Sequence, residues 1–364
     1  MKSEAPVTAI RASAYTIPTD KPEADGTIAW DSTTLIVVEI SGGNVLGLGY
    51  TYADASIAEL IESKLAATIA GLDAMQPQAA WLAMQQAVRN LGREGLAATA
   101  ISAVDSALYD LKARVFDVPL ATLLGRYREE VPIYGSGGFT TYSDDELNDQ
   151  LAGWVDRDGC KCVKMKVGSH PDDDPRRVAV AKSAIGEATL FVDANGAYTV
   201  KQALALAECF NEQDVGWFEE PVSSDDLRGL RLIRDRAPAG MDIAAGEYAY
   251  TACYVREMLE ADAVDVQQAD VTRCGGVTAW LQIGALCEAF QIDLSGHCAP
   301  ALHLSVACAV PRLRNLEWFH DHVRIEHMLF DGAPVPKDGM IRPDLSRPGH
   351  GLQFKRTDAE RFAV

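Results

Sequence analysis

The residues best placed to do chemistry are carboxylates that terminate short apolar runs. Asp193 ends the run in TLFVDAN, Glu219 the run in VGWFEE and Glu247 the run in DIAAGE. One such carboxylate alone reads as a solvated loop residue. Three in the same register converge on one point and repel, each raising the others' pKa. A hard cation resolves that conflict, and an all-oxygen set suits Mg²⁺, which keeps positions open for water and substrate. Lys164 and Lys166, in VKMKV, end a run just before Asp193. The strand period of two puts both on one face. Two ammonium groups beside a divalent cation lower each other's pKa, as a lysine general base requires. His297 ends LSGHC, Asp270 follows the run in QQAD, and Glu317 ends the run in NLEW. A carboxylate on a neighbouring strand end can hold an imidazole in one tautomer and stabilise its cation. Together these groups suit removal of the proton α to a carboxylate. Lys166 or His297 takes the proton while the cation and Lys164 spread the developing charge.

The elements that must position them alternate. From residue 131 the runs PIYGSGG, CVKMKV, TLFVDAN, VGWFEE, DIAAGE, AVDVQQ, DLSGH and NLEWF read as strands, and each of the first seven is followed by a helical stretch. Eight strands with intervening helices are a (β/α) barrel count, and barrel enzymes place their sites at the C-terminal strand ends. An open doubly wound sheet would show a Gly-rich phosphate fingerprint after an early strand, and none is present. Residues 6–17 and 33–41 read as strands that continue through GGNVLGLGYTY, followed by helical patterns at about 55–70, 77–91 and 97–114. Strands followed by a run of helices predict an α+β unit. The expected organisation is an α+β capping domain at 1–125, a barrel at 126–330, and a Pro- and Gly-rich segment at 331–364 that returns towards the cap.

Composition narrows the function class. The chain has 364 residues, 48% hydrophobic and 23% charged, as in ordinary globular proteins. Its net charge of −19 disfavours nucleic acid and anionic lipid as partners. The eight cysteines are scattered without a CxxC pair and read as small buried hydrophobes in a reducing compartment. No apolar run is long enough for a membrane span, and the first residues lack a signal-type core, so the expected place is the cytoplasm.

The combination KxK, DAN, EEP, GE, an Asp and a His on following strands, and a final Glu resembles the mandelate racemase subgroup of the enolase superfamily along nearly the whole chain. That resemblance implies a modified TIM barrel, (β/α)₇β, with an N-terminal α+β cap, and a homo-oligomer. It implies Mg²⁺ on Asp193, Glu219 and Glu247, with Lys166 and the His297–Asp270 dyad as the two acid/base catalysts. Lys164 would contact the substrate carboxylate and Glu317 would donate a hydrogen bond to it. Asn195 stands where some acid-sugar dehydratases of the superfamily carry a catalytic His. Glu220 alternates away from Glu219 and reads as structural, as do His320 and His322. The stretch 18–32 reads as a polar lid loop with Trp30, and Tyr50 and Tyr52 as a second lid loop. With Asn195, Trp30 and Tyr50 are the expected substrate contacts. A polar lid suits a small polyhydroxylated carboxylate, so dehydration of an acid sugar to a 2-keto-3-deoxy acid is the first expectation. Racemisation or epimerisation of an α-hydroxy acid is the second, and a catalytically silent binding relative the third.

Overall fold

The computed structural model describes residues 4–364; residues 1–3 of the expected capping domain lie outside the described residues. Three long strands, β1 (Val7–Ala24), β2 (Ala29–Gly42) and β3 (Val45–Tyr52), form an antiparallel meander. Alternate residues of β2, such as Ile36, Val38 and Ile40, are buried against helices, as a one-sided sheet requires. The helices are α1 (Ser56–Leu60) and α2 (Ala66–Ile69), joined by a π turn, then α3 (Pro77–Ala87), α4 (Leu96–Phe116) and the short α5 (Leu120–Leu124). Helix α4 is buried along almost its whole length, because its Ala, Ser and Thr positions let both β3 and a later barrel helix approach closely.

The barrel strands are β4 (Val131–Gly137), β5 (Cys162–Lys166), β6 (Thr189–Asp193), β7 (Val215–Glu219), β8 (Asp242–Ala245), β9 (Val266–Ala269), β10 (Asp293–Gly296) and β11 (Leu313–Phe319). All pair in parallel with their sequence neighbours, and β11 closes on β4. The seven connecting helices are α6 (Asp144–Asp156), α7 (Asp174–Ala184), α8 (Val200–Asn211), α9 (Leu227–Arg234), α10 (Ala252–Glu260), α11 (Gly276–Phe290) and α12 (Pro300–Cys308). This is the modified TIM barrel with a capping domain. Several of these helices start on side-chain caps. Ser143 with Glu146 and Thr199 with Gln202 form reciprocal capping boxes that satisfy otherwise orphaned backbone N–H groups.

Inside the lower barrel, Tyr134, Phe191 and Trp217 form an aromatic floor, with Phe191 and Trp217 stacked at 4.9 Å. Two residues further along β6 and β7, the same inward face carries Asp193 and Glu219, and Lys166 of β5 pairs with Asp193 at that level. The strand period therefore lifts the charged groups directly above an apolar plug.

Helix α13 (His320–Leu329) leads away from β11 into a segment with three short strands: β12 (Phe330–Asp331), β13 (Met340–Ile341), which adds antiparallel to β4, and β14 (Gln353–Phe354). The chain then reaches the meander, where Val364 N donates to Ala14 O at 3.1 Å.

Two lid expectations are corrected. Residues 18–32 are not an open loop: Pro18 pairs with Ser32, Glu23 with Trp30 and Ala24 with Ala29, so the lid is the irregular outer end of the β1–β2 hairpin. Its polar residues conceal the pairing because neither face at the tip packs on a large apolar core. Tyr50 and Tyr52 likewise lie within strand β3 and not in a loop.

Candidate functional site

The tip of the β1–β2 hairpin lies over the C-terminal end of the barrel. Thr140 N donates to Ala24 O at 2.9 Å, and the Thr140 and Ser169 hydroxyls both donate to Asp25 O, at 3.0 and 2.7 Å. His320 Nε2 meets Asp20 Oδ2 at 3.0 Å. Between hairpin and barrel is a cavity of about 420 Å³. Lys166, Asn195, Glu247 and His297 line it from the barrel, and Trp30 and Tyr52 from the cap. A larger groove of about 770 Å³ lies on the outer face of the meander by Arg11, Glu59 and Arg356, but it holds none of the clustered strand-end groups.

The structure brings Asp193, Glu219 and Glu247 together, with one carboxylate oxygen of each within 4.8 Å of the others. All three are buried. Burial and the neighbouring Asp193 push the Glu219 carboxyl up to about 8, while Lys166 and Lys164 outweigh the burial of Asp193 and hold it below the ordinary range. Glu247 Oε2 is buried without a hydrogen-bond partner. Three buried oxygens facing one point, one of them orphaned and one carboxyl resisting ionisation, are the donor set a hard divalent cation satisfies. Glu219 is held on its other side by Trp217 Nε1 at 2.9 Å, so the aromatic floor also orients a carboxylate.

Lys164 Nζ lies 2.5 Å from Glu219 Oε1 and 2.8 Å from Glu317 Oε1. Lys166 Nζ donates to Asp193 Oδ2 at 2.5 Å and to Asn195 Oδ1 at 3.0 Å. Burial and Lys164 depress the Lys166 pKa, but Asp193, Glu247 and Glu219 raise it more, so the net direction is upward. The expected depression by Lys164 is present and outweighed. Asn195 sits at φ +46°, and its backbone N–H donates to Asp193 Oδ1 at 2.9 Å, which turns its side chain towards Lys166.

His297 Nδ1 and Asp270 Oδ2 are 2.9 Å apart. The Thr272 N–H and hydroxyl both donate to Asp270 Oδ1 at 2.7 Å and hold the carboxylate for the ring. Burial disfavours the imidazolium, but Glu247, Glu317 and Asp270 raise the His297 pKa. On the sheet, β5 and β10 lie on either side of β6, β7 and β8.

Glu317 behaves as an acceptor. Ser136 Oγ donates to its Oε1 at 2.5 Å, and Cys298 N to its Oε2 at 3.0 Å. Against the penalty of burial, Lys164 and His297 hold its carboxyl well below the usual range. In this arrangement it lacks the proton that the expected donor role needs.

Tyr50 is not a substrate contact. It is fully buried, stacks on Phe330 at 4.7 Å, and donates to Glu326 Oε1 at 2.5 Å. Trp30 does face the cavity, with Nε1 on Glu23 Oε2 at 2.8 Å and its ring edge-on to Phe139. Glu220 is also corrected. Its φ of +37° breaks the strand alternation, and its carboxyl is buried near enough to Glu247, Asp193 and Glu219 that burial and their charges raise it well above the ordinary value.

Sequence reasoning missed Arg273 and Cys298. Arg273 Nη1 lies 3.6 Å from Glu247 Oε1 and Nε 3.7 Å from Asp270 Oδ2, with the guanidinium over the Tyr248 ring. Cys298 Sγ lies 3.3 Å from His297 Nε2. Their only signal was proximity in sequence, Arg273 three residues after Asp270 and Cys298 next to His297.

Comparison with known proteins follows this geometry closely. The N-terminal domain model of the mandelate racemase / muconate lactonizing enzyme family matches residues 12–125, and an enolase C-terminal domain-like model matches residues 146–359. A crystal structure of a mandelate racemase/muconate lactonizing enzyme-like protein from Rubrobacter xylanophilus superposes with a TM-score of 0.96 at 53% identity, covering 99% of this chain and 100% of that one. The 3,6-anhydro-α-L-galactonate cycloisomerase of Streptomyces coelicolor is 34% identical, over 98% of this chain and 99% of its own length. L-Talarate dehydratase from Polaromonas, solved with Mg and L-glucarate, superposes with a TM-score of 0.89 at 28% identity, covering 99% of this chain and 98% of that one. Matched along both cap and barrel, the chain belongs to the mandelate racemase / muconate lactonizing enzyme family of the enolase superfamily, and it is an enzyme of the lyase or isomerase class.

Proposed function

We propose that the chain is a Mg²⁺-dependent acid-sugar lyase: it takes the α-proton of a polyhydroxylated carboxylate and expels an oxygen substituent from the β-carbon. The observation that carries this reading is one cavity lined by Lys166 from one side and by His297, held from behind by Asp270, from the other, with Glu247 between them. Asp193, Glu219 and Glu247 would hold the ion, whose bound charge supplies Lewis-acid polarisation of the substrate carboxylate. The magnesium and the acid-sugar ligand of the talarate dehydratase relative support both choices.

Lys166 takes the α-proton. Its amine becomes a usable base once the charge of Asp193 and Glu219 is neutralised, because those carboxylates outweigh the depressing effects of burial and Lys164. The electron pair left on the α-carbon moves onto the substrate carboxylate, where the Lys164 ammonium donates to the oxygen that gains charge. The β-carbon–oxygen bond then breaks. Burial opposes the His297 imidazolium, but Glu317 and Asp270 still favour it once Glu247 holds the ion, and His297 gives its proton to the departing oxygen. If that oxygen is a free hydroxyl, the products are water and an enol that tautomerises to a 2-keto-3-deoxy acid. If it is a ring ether, as the cycloisomerase relative suggests, the same bond changes open the ring. Asn195 steadies the Lys166 amine, and Trp30 with Glu23 shapes the roof. The Ser32, Thr33 and Thr34 hydroxyls give that roof polar contacts suited to a sugar acid.

A library of mono- and diacid sugars in deuterated solvent tests this. Lys166→Ala should abolish α-proton exchange, and His297→Asn should spare exchange while stopping release of the β-oxygen. The reverse pattern inverts the two roles. Exchange without elimination in the parent protein favours an epimerase, and no exchange with any acid favours a silent relative. The homo-oligomer and the cytoplasmic setting rest on the family resemblance and on composition; a light-scattering mass near 39.3 kDa would refute the oligomer.

A further inference from the structure

Beside the carboxylate trio lies a second cluster of donors of a different chemical kind. His297 Nε2, Cys298 Sγ and Glu317 Oε2 form a triangle with edges of 3.3, 3.4 and 3.7 Å. A tetrahedral zinc ion with bonds of about 2.0–2.3 Å sets its ligands roughly 3.3–3.7 Å apart. Neighbouring residues of an extended strand diverge, but Cys298 has φ +52°, and this left-handed backbone keeps its thiol near the preceding imidazole.

A further observation points to a ligand. His297 Nδ1 is tied to Asp270 Oδ2 at 2.9 Å, the carboxylate–histidine arrangement that aims Nε2 at the cluster, where loss of its proton opens the lone pair to a metal. Cysteine, histidine and glutamate all line the cavity, so an ion has a route in.

We propose that His297, Cys298 and Glu317 form a second, inhibitory site for a thiophilic divalent cation of the Zn²⁺ class, distinct from the all-oxygen Mg²⁺ site. Binding forms metal–sulfur and metal–nitrogen bonds and releases the Cys298 thiol proton and the His297 Nε2 proton to solvent. Mg²⁺, which prefers oxygen, does not compete for the thiolate. The bound ion occupies the nitrogen that would protonate the leaving oxygen. The inhibition, though not the binding, rests on the function proposed above.

Cobalt(II) is the optical stand-in for zinc. With the full chain saturated in Mg²⁺, added Co²⁺ should give a thiolate-to-cobalt charge-transfer band that one equivalent of Zn²⁺ erases. Cys298→Ser should lose the band, and Asp270→Asn should weaken Zn²⁺ binding by about 10–100-fold. If Cys298→Ser fails to fold by circular dichroism, His297→Asn replaces it and should weaken Co²⁺ binding about tenfold or more. No band in the parent protein, or a band retained in Cys298→Ser, overturns the site; retention would trace the band to another cysteine, such as exposed Cys209 or Cys253. A band in a protein that turns over no acid leaves this site standing and removes the proposed function instead.

Discussion

At Glu326 a carboxyl is sealed where α13 meets β3. It accepts from Tyr50 Oη at 2.5 Å and from Ala301 N at 3.1 Å, yet burial outweighs both bonds and lifts it from 4.5 to about 8. The folded protein therefore holds a proton here that the unfolded chain releases at lower pH. Stability from this group is full below about 4.5 and lost as pH rises to about 8. Glu326→Gln removes the titration and keeps an acceptor oxygen for Tyr50 Oη, while its NH₂ cannot accept from Ala301 N. Its stability relative to the parent, measured by urea unfolding, should rise by roughly a few kcal/mol between pH 5 and pH 8.5. A flat difference would show that Glu326 is ionised and hydrated. The same contact explains why Tyr50 misled the sequence reading: its partner lies 276 positions away, and an aromatic beside glycines looks like a lid residue until that partner is known. Glu219→Gln is the matching test in the site. It replaces one charged oxygen with a weaker neutral one and should cost at least about tenfold in Mg²⁺ affinity by calorimetry. Unchanged affinity would remove Glu219 from the ligand set.

Among the elements, the barrel strands were readable because each is apolar along its length and polar at its end, a pattern that burial on both faces and an open mouth impose. The site residues at those strand ends were readable for the same reason. Two residues just past a strand end were not. Glu220 and Cys298 have positive φ, and no alternation rule survives a left-handed residue. The role of the two glycines inside β3 was not readable either. They mark a close approach: a Cβ on Gly49 would lie 2.2 Å from Ala103 O and 2.6 Å from Ala107 N, and one on Gly47 would lie 2.3 Å from Ala107 O. Strand and helix α4 touch backbone to backbone, which only glycine allows. Gly49→Ala should lower stability in urea by about 1–3 kcal/mol or more. A midpoint within error of the parent would mean that α4 can shift outwards.

Over the whole molecule, cap and barrel share contacts that cross the boundary in both directions. Asp105 of α4 accepts from the Thr278 N–H and hydroxyl on α11, both at 2.8 Å, and Trp81 Nε1 donates to Gly275 O at 2.9 Å. The C-terminal segment returns to β1. An ion held by three barrel carboxylates should therefore stabilise the cap as well. At a Mg²⁺ concentration of about 100 times its dissociation constant, the gain should be about 2.7 kcal/mol. Hydrogen exchange of the cap helices should slow in step with that of the barrel. Protection confined to the barrel would show that the two parts open independently.

The outer end of the β1–β2 hairpin touches the barrel chiefly through backbone carbonyls, at Ala24 and Asp25, and through glycine at its turn, where a Cβ on Gly26 would lie 2.4 Å from Ala194 O. Contacts of that kind hold a shape while leaving most side-chain identities free. Trp30, Ser32, Thr33 and Thr34 can then vary without disturbing Lys166, His297 or the three carboxylates. Evolution can therefore adjust the two tasks separately: the barrel keeps the proton chemistry, and the hairpin sets which acid is admitted.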